Sequence, residues 1–163
     1  MSIIAYLTLT GAKQGVIKGG VTAKGREGTI AVTAVSHEIT TPVDQATGAA
    51  TGKRQHQPIT ITMVIDQATP KLYQAAVTNE TMTTAKIGFW RPSADGSGTE
   101  VQYFTITLTN ALIADVTLNA DDGDDPASAK GFEYEQIKLT YQKIEWTWTD
   151  GGITATDSWA AAV

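Results

Sequence analysis

Threonine is the residue type that most restricts what this chain can fold into. It accounts for about one in six of the 163 residues, and most threonines occupy alternate positions beside Ile, Val, Leu or an aromatic residue. β-Branched side chains suit the pleated surface of a sheet. Alternation with a period of two places every other side chain on the same face of a strand. The chain is therefore predicted to be mainly β.

Two segments, residues 59–65 and 103–109, alternate strictly between apolar and polar residues. This pattern predicts strands with one buried face. Further strands are expected at residues 82–91, 111–119, 132–148 and 153–159, each bounded by residues typical of turns.

Residues 28–40 have apolar side chains on both faces of the predicted strand. Ile30, Val32 and Ala34 fall on one face, and Val35 and Ile39 fall on the other. A strand with two apolar faces is typical of a sheet that is buried on both sides. We therefore expect this strand to be covered from both directions.

Turns and one helix complete the pattern. Residues 95–98 and 150–152 are glycine-rich hairpin tips, so neighbouring strands are predicted to be antiparallel. Residues 69–77 have helical spacing, with Thr69 as the expected N-cap and Pro70 at the first helical position. We expect one short helix packed on the flank of an antiparallel β-barrel or sandwich.

Two stretches are predicted to be irregular. Residues 41–57 form a long segment of small and polar residues, which we call the arm, and residues 120–126 form an acidic loop. Strands that need partners lie on both sides of each stretch, so neither is expected to be a linker between domains. Residues 1–163 are therefore predicted to form a single domain.

Composition excludes several classes of function. The chain has no cysteine, which removes thiol nucleophiles, disulfides and zinc-thiolate sites. The net charge of −5 argues against a nucleic-acid-binding protein. No apolar run approaches the roughly 20 residues that span a bilayer, so membrane insertion is not expected. The N-terminus lacks the pattern of a secretory signal, so any export is expected to use another route.

Candidate chemical sites are weak. His37 and His56 stand outside any metal-binding or catalytic motif, and Glu133 and Glu135 are expected to be surface carboxylates rather than a glycosidase pair. The acidic loop could bind calcium, but it lacks the bidentate glutamate of an EF-hand, and a solvated turn is favoured. We expect no enzyme activity, no cofactor and no metal.

Trp146 and Trp148 lie two residues apart on a predicted strand and therefore face the same side. Such a pair suits a core corner, a protein interface or an exposed platform for a ligand. The first two are favoured, and ligand binding stays open.

The order of several segments resembles the haemolysin co-regulated protein (Hcp) family, the tube subunits of the bacterial type VI secretion system. The resemblance is carried by KRQHQPITIT at 53–62, IDQATPKLYQA at 65–75, IGFWRP at 87–92, YFTITLTNA at 103–111 and the stretch 135–154. No single motif is specific, but their succession covers nearly the whole chain.

The resemblance implies a small antiparallel β-barrel of two packed sheets with one short helix on its flank. It also implies a homohexameric ring and stacking of rings into a hollow tube. Partners implied by the family are a spike protein at the tube tip, a contractile sheath around the tube, and small effector proteins in the ring lumen. The protein would be made in the bacterial cytoplasm and delivered to the medium or a target cell.

Charge suggests how rings of this chain would meet. Six chains at −5 carry about −30, so stacked rings repel unless opposite charges meet locally. We expect the basic part of the arm in one ring to approach acidic surface on the next. The candidate self-assembly residues are Gln45, Lys53, Arg54, Asp121, Asp122 and Asp124.

Two other functions share parts of this pattern. A phage tail tube protein would have the same architecture and the same ring. A monomeric β-sandwich module that binds carbohydrate would use the exposed arrangement of Trp146 and Trp148, and would have the mass of one chain.

Overall fold

The computed structural model describes residues 3–120, 124 and 133–160. Its elements, in chain order, are β1 Ala5–Gly11, β2 Gly15–Ile17, β3 Ile30–Ser36, β4 Ile39–Thr40, β5 Gln55–His56, β6 Ile59–Val64, α1 Thr69–Val77, β7 Thr81–Pro92, β8 Glu100–Ala120, β9 Glu133–Thr140, β10 Lys143–Trp148 and β11 Ile153–Ser158. The chain is mainly β with one helix among the described residues, as its threonine pattern predicts.

Six antiparallel strands close into a barrel in the order β8, β7, β1, β3, β6 and β9, with β9 pairing back to β8. The sheet continues beyond the barrel on the other side of β8, where β10 and then β11 are added. β2 pairs with β1 at the barrel rim, and β4 pairs with β5 in a separate two-stranded sheet. The expected barrel with a helix on its flank is confirmed.

β8 belongs to both the barrel and the extension. Its first half pairs with β7 and β10, and its second half pairs with β9. Segments 103–109 and 111–119, predicted as two strands, therefore form one strand of 21 residues. The predicted strand 132–148 is instead two, β9 and β10, separated by Tyr141 and Gln142.

The expectation that β3 is covered on both sides is wrong, and a β-bulge explains the apolar pattern. Val32 pairs with Met63 and Ala34 with Thr62, so the register shifts between Val32 and Ala34. A bulge adds one residue to one strand and reverses which face the following side chains occupy. Ile30 and Val32 point into the core before the bulge, Ala34 is exposed, and Val35 packs against the core.

The helix lies at the predicted residues, but its N-cap is not the predicted Thr69. Thr69 is the first helical residue, and the N-cap position is held by Ala68, which has no capping side chain. The Asp66 carboxylate instead closes the turn that precedes the helix: it accepts a hydrogen bond from the Ala68 N–H at 2.8 Å, while the Asp66 N–H donates to the Thr69 hydroxyl at 3.1 Å. The Thr69 hydroxyl accepts this hydrogen bond through its oxygen, so its own proton is available to another partner.

That partner is Glu135, whose placement corrects the expectation of a surface carboxylate. Glu135 on β9 is fully buried beneath α1, and its Oε1 accepts a hydrogen bond from the Thr69 hydroxyl at 2.8 Å. Its Oε2 is buried without a hydrogen-bond partner among the described residues. Burial, and to a lesser extent the nearby Asp66 carboxylate, raises the pKa of Glu135. Glu133 is exposed, so the two do not form a pair.

We predict that Glu135→Gln changes how stability depends on pH. Because the pKa of Glu135 is raised in the folded chain, its protonated form is favoured there, and the wild type loses stability as the pH rises through that folded pKa. The Gln variant cannot ionise and should not show this loss. Urea unfolding between pH 4 and pH 8 measures the difference. An equal pH dependence in both proteins would contradict the buried position of the carboxyl group.

Candidate functional site: the arm and its polar anchor

The arm, predicted as an irregular segment at 41–57, is a hairpin with little regular structure, in which only residues 55 and 56 lie in a strand. Its base is the β4–β5 sheet, in which Ile39 pairs with His56, and a bridge joins Val43 to Ala50 further out. At the tip, the Asp44 carboxylate accepts from the Ala46 N–H at 2.7 Å and the Asp44 carbonyl accepts from the Gly48 N–H at 2.8 Å. Asp side chains commonly satisfy turns in this way.

Beyond its base, the arm presents an exposed surface. Every residue from 43 to 53 is exposed, including Val43 at 50%. Its side chains are mostly small or polar, so the arm contributes little to the core of its own subunit. An ordered projection that gives its own chain few contacts is suited to contacting another molecule.

Five polar side chains hold the base of the arm against the extension of the sheet, and we call them the anchor: His37, Arg54, His56, Tyr141 and Asp157. His56 is 6% exposed; its Nδ1 lies 2.7 Å from the Tyr141 hydroxyl and its Nε2 lies 2.8 Å from Asp157 Oδ2. His37 Nε2 lies 2.8 Å from the same Tyr141 hydroxyl.

Arg54 completes the anchor from the arm side. Its Nε and Nη2 donate to the two carboxylate oxygens of Asp157 at 2.6 and 2.7 Å. This is the bidentate geometry that a planar guanidinium offers to a carboxylate. Arg54 therefore joins the arm to β11 through one residue, while His56 joins it to both β11 and the segment between β9 and β10.

The chemistry of the groups determines the direction of the hydrogen bonds when both imidazoles are neutral. An ionised Asp157 only accepts, so His56 donates through Nε2 and its Nδ1 is left as an acceptor. The Tyr141 hydroxyl then donates to His56 Nδ1, and its oxygen accepts from His37 Nε2. With one proton on each imidazole, every hydrogen bond among these four side chains has a donor and an acceptor. A second proton on both rings would leave the Tyr141 hydroxyl without an acceptor in the anchor.

The pKa shifts of three anchor residues agree with these hydrogen-bond directions. Hydrogen bonds from Arg54, and secondarily from His56, hold the pKa of Asp157 far below its usual range. Burial raises the pKa of the Tyr141 phenol, and the Asp157 charge adds to the effect. Burial, together with the neighbouring His56, lowers the pKa of His37. Asp157 is thus ionised, Tyr141 protonated and His37 biased towards neutral.

Aromatic packing encloses the anchor. The Trp159 ring stacks on His56 with 5.7 Å between centroids, and meets Tyr141 edge to face at 4.9 Å. Apolar rings around a hydrogen-bonded network lower the local dielectric and strengthen its polar contacts. Sequence patterns did not indicate this network, because its members come from segments about 100 residues apart.

The predicted self-assembly residues are spread over the surface. Gln45 lies exposed at the arm tip, Lys53 is exposed near the base, and Asp124 is exposed far along the chain. Arg54 is engaged with Asp157 of its own chain. Asp121 and Asp122 lie outside the described residues, so the acidic loop cannot be placed relative to the arm.

The described part of the chain shows no group of three or more His, Cys, Asp or Glu side chains that could hold a metal ion. The His56–Asp157 pair has the form of a general base with its orienting carboxylate, but the group facing His56 is a phenol with a raised pKa. The geometry is that of a structural clamp. In the same described residues, no helix is both long and apolar enough to cross a bilayer.

The two tryptophans of β10 have different environments. Trp146 is partly buried against the core, whereas Trp148 is 38% exposed. The guanidinium of Arg91 lies 5.5 Å from the Trp148 ring and 4.6 Å from the ring of Tyr103. A flat platform of two exposed tryptophans, which the carbohydrate-binding alternative requires, is therefore absent from this strand.

We predict that Asp157→Asn loosens the base of the arm. The loss of a charged acceptor for Arg54 and His56 should cost about 1 kcal/mol, since Arg54 is partly exposed. Hydrogen exchange of peptides covering residues 38–57 should then be about fivefold faster at pH 7. Because the pKa of Asp157 is lowered in the folded chain, its contribution is present above the unfolded pKa near 4 and is lost as the pH falls towards the folded value.

Asp150→Asn is the matched control. Asp150 pairs with Arg91 at 3.5 Å, and both side chains are about half exposed. This variant removes the same charge outside the anchor and should leave exchange in the arm unchanged. If both variants behaved alike, the effect would come from net charge, and the anchor would not be what holds the arm.

Comparison with known proteins assigns the fold and its arm to a family. The model of the family "Type VI secretion system effector, Hcp" matches residues 6–148. The chain is 34% identical to the "Major exported protein" of Pseudomonas aeruginosa, covering 100% of this chain and 99% of that one.

Solved structures agree with that assignment. A double mutant of the Hcp1 protein from Escherichia coli EAEC 042 is 35% identical with a TM-score of 0.84, covering 97% of this chain and 99% of that one. The secreted protein Hcp3 from Pseudomonas aeruginosa is 30% identical with a TM-score of 0.78 and the same coverage. The chain therefore belongs to the Hcp family of type VI secretion proteins.

Proposed function

We propose that this protein is the structural subunit of a type VI secretion tube. In this role it assembles into hexameric rings that stack into a hollow tube, and the tube is propelled out of the cell. The family match across residues 6–148 carries the proposal. The proposed partners are a spike protein at the tip, a contractile sheath outside, and small effector proteins in the lumen.

The position of the open strand edge supports assembly into a ring. Each of the six barrel strands has a neighbour on both sides, whereas β11, within the part of the chain that the structure describes, pairs only with β10. A strand with one unpaired edge offers backbone donors and acceptors to another chain. The apolar side chain of Ile153 on β11 is also exposed. A closed ring needs two different surfaces on each subunit, and β11 and the arm lie outside the barrel wall.

We predict that the protein in solution has the mass of a ring. Six chains of 17.3 kDa give about 104 kDa. Light scattering coupled to size-exclusion chromatography measures the mass, and negative-stain electron microscopy should show annular particles. A stable mass of 17.3 kDa at micromolar concentration, without annular particles, would contradict the ring and would favour a monomeric binding module.

The arm is proposed to contact the next ring, with Gln45 and Lys53 facing acidic surface that includes Asp121, Asp122 and Asp124. Exposure of Gln45, Lys53 and Asp124 is compatible with this contact. Arg54 is also a candidate, but a change there would break the anchor as well as any contact between rings. Lys53 lies outside the anchor, and the test is therefore made there.

We predict that Lys53→Glu reduces stacking and leaves the rings intact. Reversing one charge per subunit changes six charges per ring, so tube length in electron micrographs of concentrated protein should fall several-fold. The effect should be larger at low salt, because surface charges are screened over about 8 to 10 Å at physiological ionic strength.

Lys143→Glu is the control, since Lys143 is an exposed lysine on β10 and the variant has the same net charge. It should form tubes like the wild type. Shortened tubes in both variants would indicate general repulsion, and unchanged tubes in Lys53→Glu would exclude the arm contact at this residue.

A further inference from the structure

Both histidines of the chain face the same hydroxyl group in the anchor. His37 Nε2 lies 2.8 Å and His56 Nδ1 lies 2.7 Å from the Tyr141 oxygen. Burial, and secondarily the Asp157 charge, raises the pKa of the Tyr141 phenol, so the hydroxyl keeps its proton and needs an acceptor. At least one of the two facing nitrogens must therefore be unprotonated.

The hydrogen bonds around Tyr141 tolerate one added proton but not two. When His37 alone is charged, its Nε2 donates to the Tyr141 oxygen and the hydroxyl donates to His56 Nδ1. When His56 alone is charged, its Nδ1 donates to that oxygen, and the hydroxyl reverses and donates to His37 Nε2. When both rings are charged, both facing nitrogens are donors, and the Tyr141 proton has no acceptor within the anchor.

Burial makes the doubly charged state unfavourable. His56 and Tyr141 are both buried, and the Trp159 ring stacks on the first and meets the second edge to face. Water has little access to replace the missing acceptor, and a buried hydroxyl without a partner is destabilising. The two charged rings also repel each other across one oxygen in a region of low dielectric. Separation of the groups relieves both penalties.

The arm is the part that can separate. Tyr141 belongs to the packed core of the barrel and is fixed there. The base of the arm is held by the two-residue strands β4 and β5, and every residue from 43 to 53 is exposed. Loss of the contacts to Tyr141 should therefore move the base of the arm and leave the barrel in place.

Other charged groups surround the two imidazoles. Those described by the structure are Arg54 at the end of the arm, Asp157 of β11, Glu38 beside His37 and Lys138 of β9. Glu38 and Lys138 line an open cavity next to His37 and carry opposite charges. Hydrogen bonds from Arg54, and secondarily from His56, hold the pKa of Asp157 far below its usual range, so this carboxylate stays ionised while the histidines titrate.

The pH range follows from His37. Burial, and secondarily the neighbouring His56, lowers the pKa of His37 in the folded chain. The neutral ring is thus favoured, and its contribution to stability is present above the unfolded pKa near 6.5 and is lost as the pH falls towards the folded value. Protonation of both rings is therefore expected only in mild acid.

We propose that the anchor is a pH switch, which holds the arm while at most one of its two imidazoles is charged and releases the arm when both are charged. The switch lies within one subunit and needs no unfolding of the barrel. Acid would also weaken the proposed contact between rings. That consequence rests on the proposed function, whereas the switch itself does not.

Hydrogen exchange of the full chain at about pH 7.5 and about pH 5 tests the switch. Rates are corrected for the pH dependence of exchange in an unstructured chain, and peptides covering residues 38–57 are compared with barrel peptides covering 81–92. Protection of 38–57 should fall about tenfold relative to 81–92, as expected when a buried hydrogen-bonding group loses its partner. Unchanged relative protection, or an equal loss in both sets of peptides, would overturn the proposal.

His37→Gln separates the charge of the ring from its hydrogen bonds. The Gln amide offers Tyr141 both a donor and an acceptor but cannot become charged. In this variant, residues 38–57 should lose no more protection in acid than the barrel peptides do. Glu38→Gln is the matched control, because it removes an exposed titratable group from the adjacent position and should keep the acid response. A wild-type response in His37→Gln, or none in Glu38→Gln, would contradict the switch.

Nuclear magnetic resonance of the wild type tests the switch without a substitution. Because the chain has two histidines, labelling of the imidazole carbons gives two signals to follow with pH. We expect the rings to titrate in two separate steps, with protection of the arm lost in the second. Full protonation of both rings with the arm still protected would overturn the proposal, as would loss of that protection while one ring is neutral.

Discussion

The pairing of β8 with β9 is the constraint on which the rest of the structure depends. It closes six strands into a barrel and removes the open edges that those strands would otherwise present. Because β8 runs for 21 residues, the same strand also carries β10 and β11 beyond the barrel. The second half of β8 therefore closes the barrel, and its first half carries the extension that holds the arm.

The polar anchor joins segments that closure brings together. His37 precedes the arm, His56 lies near its end, Tyr141 follows β9, and Asp157 lies on β11. A network of this kind is stabilising only when every member has a partner, and a single proton on each imidazole meets that condition. The projecting hairpin of this chain is thus held at its base by charges and hydrogen bonds, which the Trp159 ring encloses.

Local patterns in the sequence predicted most of the longer strands, both glycine-rich hairpin tips and the position of the helix. These features depend on residues close in sequence, such as the alternation in 59–65 and the proline at position 70. The incorrect predictions involve contacts between residues that are far apart in the sequence. The bulge after Val32 depends on pairing with β6, and the burial of Glu135 depends on the helix that covers it. The pairing of Ile39 with His56 at the base of the arm was not predicted, because the small, polar residues between them resemble those of a loop.

The candidate site was harder to predict from the sequence than the fold. Lys53 and Gln45 were predicted as arm residues and stay predictions, and nothing within a short stretch of sequence links Arg54 to Asp157. That pair and the contacts of Tyr141 with the two histidines exist only after the barrel has closed. The family resemblance supplied the architecture, and the side-chain partners required the structure.

The two attachments of the arm have a mechanical consequence. Arg54 and His56 pass any pull on the hairpin to Asp157 on β11, and His56 passes part of it to Tyr141 between β9 and β10. The backbone of the arm also continues directly into β6, and Tyr141 is itself part of the packed core. A load applied at the tip is therefore shared between an edge strand, a connecting segment and the barrel wall.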